Sequence, residues 1–383
     1  MKTEKLFKDF VGSEKSAGLM LVCCTGISLI VSNSSFATDY FRFWQTQFLG
    51  RSIEHWINDG LMAIFFLLIG LELKREIYRG KLSNSKDALF PIFGAVGGML
   101  LPATLFLLFN FGTPTQSGAG IPMATDIAFA LGVLSLLGNK VPASLKIFLT
   151  ALAVIDDLGA IVIIAAFYTK TLLWTNLLIA LGIFVVLLIL NRMKIKNLIP
   201  YLTGGIVMWY FMLHSGVHPT ITGVLLAFAI PVNDGNKKSA SGILQDFLHK
   251  PVAFIILPVF ALANTAIGIN GNIPKILTEN YSIGIATGLI IGKPLGIFLF
   301  TFTATKTGFC KLPAGLNWKN IFGAGILGGI GFTMSVFITL LAFDDSNIIN
   351  NAKLTILLSS ITAGVLGLIA LAMSRSVYSD KSF

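Results

Sequence analysis

Charge is scarce in this chain: Asp, Glu, Lys and Arg together make up 12% of 383 residues, while 55% are hydrophobic. With a mean hydropathy of +0.81, that scarcity excludes an ordinary water-soluble domain of this size. Cysteine is nearly missing too. Cys23 and Cys24 are adjacent inside an apolar run and Cys310 lies in a loop, so neither a disulfide framework nor a thiolate metal site is indicated. No GxxxxGK[ST] phosphate loop occurs, which argues against a nucleotide-driven pump. Acids are fewer than bases, 18 against 28, and the net charge is +10. Basic loops beside an anionic leaflet account for that excess, so no nucleic-acid partner is expected, only lipid.

What the chain has in quantity is long apolar runs. A helix needs about 20 apolar residues to cross roughly 30 Å of hydrocarbon, and such windows recur from residue 16 to residue 374. Twelve spans are expected, at about 16–36, 57–77, 88–110, 115–137, 144–169, 172–190, 198–213, 217–231, 251–269, 281–304, 319–342 and 353–374. The seventh and eighth are short, and Gly and Pro interrupt the fourth and eleventh. Continuous runs, rather than ten-residue alternations, argue against strands. The expected fold class is an all-α polytopic membrane protein, with residues 1–383 forming one integral domain.

Lys and Arg test the topology. The N-terminus, the even-numbered connections and the C-terminus carry 22 of them, and the odd-numbered connections carry 5. By the positive-inside rule both termini lie in the cytoplasm and the number of spans is even. The opening MKTEKLFKDFVGSEK could introduce a leader, but its removal with the first span would leave eleven spans and misplace the N-terminus.

Four ionisable groups remain deep in the spans: Asp126, Asp156, Asp157 and Lys293. Each costs about 2.5 to 3.5 kcal/mol near the bilayer centre. Lys293 sits about twelve residues, some 18 Å, from either end of its span, too far for its side chain to reach the interface. A salt-bridge network that only fixes helix packing is the plain alternative. Three acids against one base leave negative charge over, however, and that calls for a cation or a proton. Asp156 and Asp157 point about 100° apart on a helix, so one can face an ion while the other faces a neighbouring helix.

Asp126 lies in GAGIPMATDIAFALG, where Gly118, Gly120 and Pro122 precede Thr125 and a helical pattern then resumes. This reads as a break followed by a half-helix capped by Thr125 or Asp126. The eleventh span has its own break, at Gly328, Gly329 and Gly331, just before Thr333. Irregular backbone at that depth must be buried or line a cavity. Spans three to five (about 88–169) and ten to twelve (about 281–374) start on opposite sides of the membrane and each centre on a broken helix. That pattern reads as an inverted repeat, and paired interruptions of this kind point to a transporter's binding site.

Five stretches carry a family resemblance: PMATDIAFALG (122–132), LTALAVIDDLGAI (149–161), IGKPLGI (291–297), HWINDGLMAIFFLLIGLELKRE (55–76) and HSGVHPTITG (214–223). Through them nearly the whole chain resembles the NhaA-type sodium/proton antiporters, and NhaA is itself one of the transporters behind the rule on paired interrupted spans. The resemblance implies twelve spans with two crossed, broken helices (spans 4 and 11) and a cation and proton site at Asp156, Asp157, Asp126 and Thr125. It makes Lys293 the essential lysine, compensating half-helix ends or pairing with the first acid of the DD motif. Carboxylates suit positive helix N-termini and ammoniums suit negative C-termini. Asp59 matches an acid at the start of the second span, while Glu72, Glu76 and His218 match positions linked to pH response or to the ion entrance. A solvated helix end formed by Glu72, Lys74, Arg75 and Glu76, and a hydrogen-bonded turn at His218, are the plain alternatives there. The chain departs from the family where a glutamate is usual: Gln245 stands there, with Asp246 adjacent.

The expected activity is electrogenic exchange of one Na⁺ or Li⁺ outward for about two H⁺ inward, with both ions competing for the same aspartates and alternating access to each side. The transported ions are the cargo, with Asp156 and Asp157 as metal ligands; no cofactor and no enzymatic activity are expected. The expected setting is a bacterial inner membrane, serving sodium and pH homeostasis. A loop at 37–56 that can form a β-hairpin joining two protomers in the family suggests a homodimer. Two other classes compete: an intramembrane aspartyl protease, whose YD and GxGD pairs are absent, and a sodium-coupled solute symporter, which would need an organic-substrate pocket.

Overall fold

The computed structural model describes residues 14–80, 85–138, 141–168, 172–232, 239–269 and 272–374. Both termini, expected in the cytoplasm, lie outside them. Among the described residues the regular structure is helical except for one two-stranded hairpin, Gln47–Phe48 with Arg51–Ser52. Its turn is made by Leu49 and Gly50, both at positive φ, 50° and 80°, the conformation that a two-residue hairpin turn requires.

Among the described residues, eight helices are long and apolar enough to cross a membrane, or ten if each of two bent pairs forms one span. The bent pairs are Ser16–Ser32 with Ala37–Gln45, at 115°, and Trp318–Gly328 with Phe332–Ala342, at 47°. The seventh and eighth expected spans correspond to Ile199–Leu213 and Ile221–Ala229, of 15 and 9 residues. At 1.5 Å per residue they reach only about 22 and 14 Å, short of a hydrocarbon core. Large apolar side chains on the long helices stay exposed, Leu108 at 72% and Leu178 at 63% among them, as suits a surface whose solvent is lipid rather than water.

Two compact units make up the chain, one from Met1–Val22, Gly80–Ala160 and Ile267–Phe383, the other from Cys23–Arg79 and Ile161–Ala266. In the first unit the helix Ser85–Asn110 packs along the helical stretch Asn280–Lys306. Glycine sets that approach. A Cβ at Gly296 would overlap the carbonyl oxygen of Gly97, and a Cβ at Gly97 would overlap that of Gly296. Contact at backbone distance requires a missing side chain on both partners.

In the second unit, Asn58 and Asn264 exchange amide hydrogen bonds, the shorter running from Asn264 Nδ2 to Asn58 Oδ1 at 2.8 Å. The short helix Ile221–Ala229 has its C-terminal carbonyls covered by Lys74. The buried ammonium donates to Ala227, Phe228 and Ile230 carbonyls, the Phe228 bond being 2.7 Å. This corrects the reading of Lys74 as part of a solvated helix end: a cation is attracted to the negative end of a helix, and three carbonyls replace its water.

Candidate cation site

The first unit brings together five side chains predicted for the site. Asp126, Asp156, Asp157, Thr125 and Lys293 are all no more than 2% exposed. They come from three elements, each shaped by a local sequence feature.

The first element is the interrupted stretch Gln116–Ser135. A 3₁₀ turn covers Gln116–Met123, the chain is extended at Ala124, and an α-helix runs from Ile127 to Ser135. Asp126 is the N-cap of that half-helix: its Oδ1 accepts from the Phe129 N–H at 2.9 Å. Thr125, one residue earlier, lies in the break itself. The second element is the continuous helix Ala143–Phe167, which carries Asp156 and Asp157 on adjacent positions. The third is the stretch Asn280–Lys306, in which a π turn at Gly288–Gly292 precedes Lys293. Pro294 lacks the N–H that would bond to the Ile290 carbonyl, so the ladder shifts register just before it. The Lys293 N–H bonds instead to Gly288, five residues back.

Lys293 donates from Nζ to Asp156 Oδ2 and, at 2.8 Å, to Thr125 Oγ1. Thr125 Oγ1 lies 2.9 Å from Asp156 Oδ2 and 2.9 Å from the carbonyl of Gly328, the last residue of the half-helix Trp318–Gly328. One hydroxyl thus joins the ammonium, a carboxylate and a helix C-terminus. Asp156 Oδ1 accepts no hydrogen bond from the described residues.

The second break supplies partners for the first. Asp126 N–H donates to the Ile330 carbonyl at 2.7 Å. Asp126 Oδ2 accepts from the Thr333 N–H at 3.1 Å and from the Thr333 hydroxyl. Thr333 is in the first turn of the half-helix Phe332–Ala342, so one carboxylate caps two helix N-termini. Ser335 Oγ donates to the Ile121 carbonyl at 2.7 Å. The Gly328 and Ile330 carbonyls, the Thr333 N–H and the Ile121 carbonyl, freed at one break, are in this way bonded by the other, as irregular backbone inside a membrane requires.

The six remaining predicted residues belong to the second unit. Asp59 is held by Arg51 at 3.0 Å, and His218 Nε2 lies 3.5 Å from its other oxygen. His218 Nδ1 shares a 2.7 Å hydrogen bond with Thr220 Oγ1 in the turn before Ile221–Ala229. Glu72, Glu76 and Gln245 are half-buried, and Asp246 is exposed.

Sequence reasoning did not place Thr333 in the site. Its position two residues after Gly331 was the available signal, since hydroxyl side chains and anions gather where a helix begins. Lys353, at the edge of the twelfth expected span, is also buried, because the helix that carries it starts about two turns earlier, at Ser346, than the apolar run showed.

Long apolar helices and discontinuous helices joined at buried carboxylates define a multi-pass, all-α membrane protein. The sequence model of the family described as Na⁺/H⁺ antiporter 1 matches residues 8–371. The chain is 71% identical over the full length of both sequences to the Na⁺/H⁺ antiporter NhaA of Flavobacterium psychrophilum. It is 62% identical, over 97% of each, to the Na⁺/H⁺ antiporter NhaA 1 of Flavobacterium johnsoniae. Against the NhaA of Vibrio cholerae the identity is 48%, over 96% of this chain and 98% of that one. The chain belongs to the Na⁺/H⁺ antiporter 1 family.

Proposed function

We propose that this chain exports Na⁺ or Li⁺ from the cytoplasm in exchange for protons, one cation for about two H⁺, through a site at Asp156 and Asp157 with Asp126, Thr125 and Lys293 around it. Asp156 carries the argument. One of its oxygens is engaged by Lys293 and Thr125, while Oδ1 has no hydrogen bond among the described residues. A carboxylate oxygen buried in that state takes a proton or a metal ion to offset its lost hydration. Asp157, also buried on the same helix, supplies a second carboxylate at the same depth. Hard oxygen donors suit Na⁺ and Li⁺, and the same oxygens accept H⁺, so the two cargoes compete.

Each cation bound would displace protons from the aspartate pair, and alternate exposure of the site to the two sides would turn that competition into exchange. Lys293 stabilises Asp156 as an anion while no cargo is bound and yields it when a cation or proton arrives. No cofactor and no bond-making chemistry enter this scheme. It fits twelve spans, with the two interrupted stretches crossing as paired broken helices, both termini cytoplasmic, in a bacterial inner membrane. The exposed tip of the hairpin at Phe48 and Leu49 favours a homodimer formed through it.

Inside-out vesicles holding an acid-inside pH gradient test the proposal. Na⁺ and Li⁺ should collapse the gradient and K⁺ should not, without any added organic solute. Asp157→Asn and Asp156→Asn should each lower the rate at least tenfold. Full activity in Asp157→Asn would remove the aspartate pair from the mechanism.

A further inference from the structure

The half-helix Phe332–Ala342 starts inside the first unit, and its opening N–H groups have no carbonyl one turn back to bond with. The ladder begins at Ser335, whose N–H bonds to Gly331 at 2.9 Å. Thr333 N–H is taken by Asp126, as described above. The Phe332 N–H is taken by Ser360, whose Oγ lies 3.1 Å away on the helix Ser346–Met373. Ser360 is buried, 2% exposed, and lies 28 residues from Phe332 in sequence. A serine within a helix can return its own proton to a carbonyl of the preceding turn, which leaves an oxygen lone pair for an outside donor.

Given the antiport reading, on which this rests, we propose that Ser360 is a positioning residue for cation binding. It fixes the first turn of Phe332–Ala342 and through that turn fixes the Asp126 carboxylate. Phe332 and Thr333 present consecutive N–H groups, one to a neutral hydroxyl and the other to the site carboxylate. The first bond sets the rotation of the turn about its axis; the second, with the Thr333 hydroxyl, carries that rotation to Asp126 Oδ2. Asp126 also ties its own N–H to Ile330, two residues before Phe332. A shift of the turn is therefore transmitted to both side chain and backbone of Asp126. Ser359, the neighbour of Ser360, is equally buried but points about 100° away on the helix, which makes it a control for the loss of a buried hydroxyl at this depth.

The test compares Na⁺-dependent collapse of a pH gradient in vesicles carrying wild type, Ser360→Ala, Ser360→Thr, Ser360→Cys and Ser359→Ala, each normalised to the amount of protein in the membrane. In Ser360→Ala the Na⁺ concentration for half-maximal rate should rise about tenfold, with the rate at saturating Na⁺ within about twofold of wild type. Ser360→Thr, which keeps an oxygen acceptor, should restore the half-saturation value, and Ser359→Ala should leave it unchanged. Half-saturation equal to wild type in Ser360→Ala, or an equal rise in Ser359→Ala, overturns the inference. If Ser360→Ala does not accumulate, Ser360→Cys decides. Its weaker acceptor should raise half-saturation by a few-fold, and a wild-type value there overturns the inference as well. Wild type inactive with Na⁺ and Li⁺ would instead overturn the antiport reading itself.

Discussion

Asp126 performs at residue scale what a peptide carbonyl does in an unbroken helix. Its two oxygens take the Phe129 N–H and the Thr333 N–H and hydroxyl, so one side chain accepts from the first turns of two half-helices. Anions are favoured at such ends, and a hydrogen bond to a charged group contributes about 1.5–3 kcal/mol. Thr333→Val removes the hydroxyl from this set while nearly keeping its volume. About tenfold weaker Na⁺ half-saturation is expected, with Thr333→Ser within about twofold of wild type, as read from vesicle pH-gradient assays over a Na⁺ series. An unchanged value in Thr333→Val would mean that the hydroxyl does not bear on the cation site. The ATD and DD strings made the aspartates visible in the sequence, because an acid in an apolar run has few reasons to be there. Thr333 was not, since a threonine among apolar residues costs little and stands out little.

At the scale of elements, the site depends on helices that approach more closely than side chains allow. Gly97 and Gly296 face each other's carbonyl oxygens, Gly296 standing three residues beyond Lys293, and the π turn at Gly288–Gly292 runs directly into that lysine. Gly296→Ala puts a Cβ against rigid backbone, and overpacking of this kind costs about 1–3 kcal/mol or more. It should lower the thermal unfolding midpoint of the detergent-solubilised protein by several degrees and reduce exchange with it. Gly182→Ala, in the helix Trp174–Arg192 where nothing lies within 4 Å of an added Cβ, should match wild type in both measurements. Equal behaviour of the two variants would show that the Gly97–Gly296 approach has room to relax. The interruptions at Pro122 and Gly328–Gly331 were legible as composition. Their mutual bonding was not, because Thr125 to Gly328 and Asp126 to Ile330 are contacts between residues some 200 positions apart.

For the whole molecule the decisive quantity is charge moved per cycle. In the proposed exchange, two protons inward for one Na⁺ outward carry one net positive charge inward, to which a membrane potential would contribute about 2.3 kcal/mol per 100 mV. In proteoliposomes, an inside-negative potential imposed by K⁺ and valinomycin should accelerate Na⁺ efflux several-fold at equal pH on both sides. A rate indifferent to potential would make the exchange electroneutral and the two-proton count wrong. The asymmetry of 22 basic residues against 5 across the twelve expected spans is the sequence's own argument for the orientation that the proposed direction of transport needs.

The sequence by itself determined the solvent and the chemistry. Apolar runs longer than a bilayer is thick require lipid around them, and carboxylates inside those runs require a proton, a cation or a fixed counter-charge. Only the tertiary structure decided which group meets which. Lys293 lies 137 residues from Asp156 in the chain, and no local rule sets that distance in space. It also decided that Lys74, in a charged string at a helix end, is buried against three carbonyls. The physical reason is the same in both cases. A hydropathy pattern records what a segment prefers as solvent, whereas the partner of a buried charge is chosen by the rotation and close packing of helices from distant parts of the chain.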